Sequence, residues 1–126
     1  MSAKLAILML GLLVAAEACQ ITFKIKSTTK KPFQIQIYAA ALEEKTERIT
    51  FEKPGERHVT ISGDNCNSKP FVVRTWNKDD KGNWVAAKSS KATLDGRGWL
   101  RVIVGNDLSP FFMDRNSIVC SGGLCG

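Results

Sequence analysis

The chain has 126 residues, 44% apolar and 24% charged, with 18 Lys and Arg against 12 Asp and Glu for a net charge of +6. These proportions fit one small globular domain and exclude an intrinsically disordered, collagen-like or coiled-coil chain. One His and one Tyr leave few groups for acid–base catalysis.

Lys4, the apolar run from Leu5 to Ala15 broken only by Gly11, and the small residues of Ala16-Glu17-Ala18 have the form of a cleaved secretory signal. The run is about 11 residues, against roughly 20 for a membrane span. Glu17, and the lack of a branched apolar residue three positions before the cut, argue against a lipid-modified Cys19. The expected organisation is a signal over 1–18 and one secreted domain over 19–126, with no transmembrane anchor. Removing Lys4 and Glu17 leaves 17 basic and 11 acidic residues, so the balance stays at +6.

After the signal the chain reads as strands. Ile21, Phe23 and Ile25 alternate with Thr22, Lys24 and Lys26, and Phe33, Ile35 and Ile37 alternate with Gln34, Gln36 and Tyr38, which predicts a first hairpin. Residues 39–47 have helix propensity but no N-cap and no second apolar turn, and are expected to be strand running into loop. Ile49-Thr50-Phe51 and Val59-Thr60-Ile61 flank a Pro54-Gly55 turn, a second expected hairpin. Residues 71–76 and 84–87 enclose a polar loop and form a third.

Ala92-Thr93-Leu94 then leads through Asp95-Gly96-Arg97-Gly98, read as a turn, into the branched run Trp99 to Val104. A short last strand is expected over Ser117 to Cys120. Together these predict an all-β fold, a small antiparallel sandwich of about seven or eight strands, with a barrel as second choice.

Cys19, Cys66, Cys120 and Cys125 all lie after the signal, and an even count in a small secreted chain reads as two disulfides. Spacing does not separate the three connectivities. A Cys120–Cys125 loop would contribute about 2 kcal/mol by loop entropy, and a Cys66–Cys120 bridge about 4.

Chemical motifs are sparse. His58 reads as a solvent-facing side chain, not a general base, because no nucleophile accompanies it. The turn carboxylates Asp79, Asp80, Asp95, Asp107 and Asp114 lack the spacing of a calcium loop. Gly122-Gly123 has no following helix to make a phosphate loop. No cofactor, no metal and no catalytic residue is expected.

What remains is the basic excess. Lys24 and Lys26 share the outer face of a strand, Lys30 and Lys31 follow in the next turn, and Arg74, Lys88, Lys91, Arg97 and Arg101 add charge later. Lysines on strands also discourage edge-to-edge pairing. For a secreted protein the polyanions at hand are glycans, mucins and membrane surfaces, not nucleic acid. If Leu100, Val102 and Val104 face inward, Trp99 and Arg101 border solvent together, while Trp76 and Trp84 are expected to pack across their hairpin as core.

The opening Ile21-Thr22-Phe23-Lys24-Ile25-Lys26-Ser27, the Thr75-Trp76-Asn77-Lys78 segment, and the blocks Thr93-Leu94-Asp95-Gly96 and Val104-Gly105-Asn106-Asp107 resemble a group of short secreted nematode proteins without a characterised catalytic domain. That resemblance implies an extracellular-matrix or eggshell component and transfers no site residue. The expected function is non-enzymatic binding or assembly, with Lys24, Lys26, Lys30, Lys31, Trp99 and Arg101 docking on an anionic glycan or an extracellular protein. The alternative is a soluble effector drawn to anionic membranes.

Overall fold

A computed structural model describes residues 19–125; the signal-like segment lies outside them. Eight strands form one mixed sheet: β1 (Cys19–Ser27), β2 (Phe33–Ala39), β3 (Glu44–Lys45), β4 (Ile49–Phe51), β5 (Gly55–Gly63), β6 (Phe71–Lys78), β7 (Trp84–Val104) and β8 (Pro110–Ser121). The order is β3-β2-β6-β7-β1-β5, with β4 also on β2 and β8 also on β7. Short 3-10 turns cover Ala40–Leu42, Cys66–Ser68 and Gly123–Cys125.

β7 sets the shape. Its 21 residues would span roughly 70 Å if straight, several times the radius of gyration of about 13 Å of a domain this size, so the strand must bend. Its first part, to Ala92, pairs with β6. From Thr93 it pairs with β8, and from Arg97 also with β1. Register shifts at Gly96/Trp99, at Leu100/Val102 and, in β6, at Arg74/Trp76 supply the bends. The sheet thereby curls on itself into two halves, β3/β4-β2-β6-β7 and β5-β1-β7-β8.

Period-two alternation fills the space between the halves. Ile21, Phe23 and Ile25 of β1, Phe33, Ile35 and Ile37 of β2, Phe71 and Val73 of β6, and Leu94, Leu100, Val102 and Val104 of β7 form one buried cluster. The Phe23 and Phe71 rings meet across it, 5.8 Å apart. Buried polar groups are paired: the Thr75 hydroxyl donates to the Leu108 carbonyl at 2.8 Å, and Thr29 Oγ1 to Asn106 Oδ1 at 2.6 Å.

The all-β class, the eight strands and the disulfide staples match expectation. The staples are Cys19–Cys66 and Cys120–Cys125, and no described cysteine is free. Pairing corrects several local expectations. β1 runs parallel to β7, so the sheet is mixed and not wholly antiparallel. β1 and β2 form no hairpin, because the Thr28 amide donates to Val104 O and the buried Thr29 binds Asn106, which pins the connection to the β7–β8 turn. β4 and β5 diverge as well: Phe51 stacks on Phe33 at 5.1 Å on β2, while β5 pairs with β1. Asp95 to Gly98 is a bulge within β7, not a turn. The β6–β7 hairpin stands, with Lys78 opposite Trp84, and β8 is longer than the strand expected over Ser117 to Cys120.

Candidate binding faces

The outer face of the β5-β1-β7-β8 half carries four of the six residues singled out from sequence, Lys24, Lys26, Trp99 and Arg101. Because Ile21, Phe23 and Ile25 point inward, Thr22, Lys24 and Lys26 point out. In register, Lys24 lies between His58 of β5 and Arg101 of β7, Thr22 between Thr60 and Trp99, and Lys26 between Glu56 and Ile103. Lys24 and Arg101 are thus like charges directly opposed, an arrangement that destabilises a sheet unless relieved.

Two contacts relieve it. Lys24 Nζ sits 4.1 Å from the Trp99 ring centroid and the Arg101 guanidinium 5.3 Å from it, so one indole lies under both cations. Arg101 Nη1 donates to both Asp114 oxygens, at 3.0 and 2.8 Å, and its Nε lies 3.6 Å from Glu56. Arg101 is therefore largely compensated. Among the described residues, Lys24 and Lys26 have no carboxylate within salt-bridge distance. His58 is exposed and 3.7 Å from Glu56.

Lys30 and Lys31 are not on this face. Both are exposed in the β1–β2 connection at its rim, and the Lys31 ammonium donates to Asn106 O at 2.9 Å. Of the six predicted side chains, the fold brings together Lys24, Lys26, Trp99 and Arg101.

A second basic cluster lies across the core on the outer face of the β2-β6-β7 half. Phe71, Val73 and Thr75 point inward, leaving Arg74 and Trp76 outward. The Arg48 guanidinium lies over the Trp76 ring, 3.8 Å from its centroid. The register shift at Arg74/Trp76 opens a hollow of about 390 Å³ lined by Arg74, Trp76, Ala86, Lys88 and Ser89 among others. Trp76 and Trp84, expected as core, are half-buried and lie under Arg48 and Lys78 respectively. Trp76 faces Ala86 and Trp84 faces Lys78, so the two indoles are out of register, and among the described residues no ring contact joins them.

No family model matches this chain, and no curated protein does. Among solved structures it is similar to a trapped toxin (TM-score 0.34, 13% identity), to listeriolysin O (0.35, 10%) and to the human-specific toxin intermedilysin (0.34, 11%). Each overlap covers 78% of this chain and 24%, 22% and 23% of those chains respectively, so the chain spans under a quarter of their length. Overlaps of this size transfer no residue and no activity.

From sequence, Arg74 and Lys88 read only as added charge, and Arg48 carries no signal of its own. The signal for the second cluster was present in strand parity, since Arg74 and Trp76 share the side opposite Phe71 and Val73. The position of Arg48 was not legible, because it depends on β4 joining β2 and not β5. Among the described residues, no helix is long and apolar enough to cross a membrane.

Proposed function

We propose that this chain is a secreted, non-catalytic binding or assembly protein of extracellular-matrix or eggshell type, which docks the Lys24–Lys26 face on an anionic glycan or matrix protein. The observation that carries this reading is that Lys24 and Lys26 occupy successive outward positions of an internal strand with no carboxylate partner among the described residues, Lys24 being held on Trp99. A fixed, unneutralised cation pair attracts a polyanion without first breaking a salt bridge. Pairing of all four cysteines agrees with an oxidising compartment, as does the signal-like segment at 1–18.

Elution from a heparin-type sulfated resin tests the reading. The Lys24→Gln/Lys26→Gln variant is expected to elute at clearly lower salt than the wild type. Arg101→Gln is expected to shift elution less than Lys26→Gln, although each removes one positive charge, because Asp114 already compensates Arg101. Unchanged elution of the double variant would remove the proposal.

A second reading, docking on an anionic membrane, is favoured by one observation. Phe111, the partner of Ile103 beside Lys26, is 46% exposed, and Met113 on the same strand is 62% exposed. Co-sedimentation with phosphatidylserine vesicles that is lost in Phe111→Ser/Met113→Ser, without binding to sulfated resin, would select it.

A further inference from the structure

The basic cluster around Trp76 is separate from the Lys24–Lys26 face and has features that face lacks. It is concave, and its 390 Å³ hollow falls at the lower end of the range for ligand pockets. Among the described residues no acidic side chain lines it, and Arg74 and Lys88 are exposed and hold no salt bridge. The Arg48 guanidinium lies over the Trp76 ring, 3.8 Å from its centroid, and its Nη1 donates to Gln34 Oε1 at 3.5 Å. Next to this hollow lies a second, of about 270 Å³, which shares Arg74 and adds Gln36, Tyr38, Glu43 and Lys45.

Two adjacent hollows that share one arginine fit a ligand that repeats. The larger offers cations beside an indole and the small side chains Ala86 and Ser89, which suits an anionic ring substituent next to an apolar ring face. The smaller offers an amide and a phenol, which suit hydroxyl groups. Of the large exposed apolar side chains, Phe111, Met113 and Val119 belong to β8 and Val85 to β7, and none of them lines either hollow.

We infer that the Arg48–Trp76–Arg74–Lys88 face is a second docking site, for an acidic oligosaccharide bearing repeated sulfate or carboxylate groups. Because it lies across one shared core from the Lys24–Lys26 face, a single molecule can hold two polyanion chains.

Calorimetric titration of the natively produced protein with a heparin-derived hexasaccharide tests the inference, with uncharged chitohexaose and phosphatidylserine vesicles as comparisons. Arg74→Gln/Lys88→Gln removes two exposed side chains, and an unchanged melting temperature reports that the fold is intact. Wild type is expected to take up two hexasaccharides, and this variant one, the second site being weakened by about tenfold or more, as for lost charged hydrogen bonds. One hexasaccharide per wild-type chain, abolished by Arg74→Gln/Lys88→Gln and untouched by Lys24→Gln/Lys26→Gln, would support the second site while removing the first. Unchanged stoichiometry and affinity in the Arg74/Lys88 variant would overturn the inference. So would chitohexaose binding equal to that of the hexasaccharide, or an effect of the variant on vesicle binding alone.

Discussion

At the scale of single residues, the bends of β7 depend on two glycines. Gly96 has φ of +113°, and a Cβ there would collide with the Ser117 carbonyl oxygen; at Gly98 it would collide with that of Asn116. The β8 backbone comes this close because β7 carries an extra residue there, between Gly96 and Trp99. Neither neighbour can yield cheaply, since both are backbone atoms of a paired strand. Gly98→Ala is therefore expected to lower stability by about 1–3 kcal/mol, the usual range for overpacking. Gly55→Ala, with nothing within 4 Å of the new methyl, should change it little. Equal urea midpoints for Gly98→Ala and the wild type would show that the bulge is not constrained in this way.

Residue-scale reading succeeded where strand parity decides the answer. Lys24, Lys26, Trp99 and Arg101 face outward because their neighbours Phe23, Ile25, Leu100 and Val102 are all fully buried. Trp76 and Trp84 do not pack across their hairpin as core, because the two indoles are out of register and each serves as a seat for a cation, Arg48 and Lys78 respectively.

At the scale of elements, existence was more legible than partnership. The alternation of β1 and β2 identifies both as strands but carries no information on whether they pair with each other. A Gly-containing segment such as Asp95 to Gly98 uses the same residues for a hairpin turn as for a bulge. The pairing of Leu94, Asp95 and Gly96 with Cys120, Val119 and Ile118 of β8 shows that the strand continues.

The disulfides act at this scale too. Cys19–Cys66 ties the start of β1 to the turn after β5 and closes a separation of 47 residues, while Cys120–Cys125 closes one of 5. Loop entropy assigns about 4 kcal/mol to the first and about 2 to the second. Cys19→Ala/Cys66→Ala should therefore cost more in urea unfolding than Cys120→Ala/Cys125→Ala. The reverse order would mean that the C-terminal turn, with the buried Leu124 inside it, matters through packing and not through chain entropy.

At the scale of the whole molecule, one core separates two basic faces, Lys24 and Lys26 on one side and Arg48, Arg74 and Lys88 on the other. That division has a consequence which neither face has alone. A protein with one polyanion site coats a polymer, whereas one with two opposed sites links polymers until excess protein saturates every chain and the links dissolve. Turbidity of long heparin chains titrated with the protein should rise, pass through a maximum and fall, and should vanish as salt approaches 1 M, where the screening length drops to about 3 Å. Lys24→Gln/Lys26→Gln and Arg74→Gln/Lys88→Gln should each abolish the turbidity while retaining binding to a short hexasaccharide, because each leaves one working face. Turbidity that survives in either variant would mean that linking arises by self-association of the bound protein, for which the exposed Phe111, Met113 and Val119 of β8 offer apolar surface.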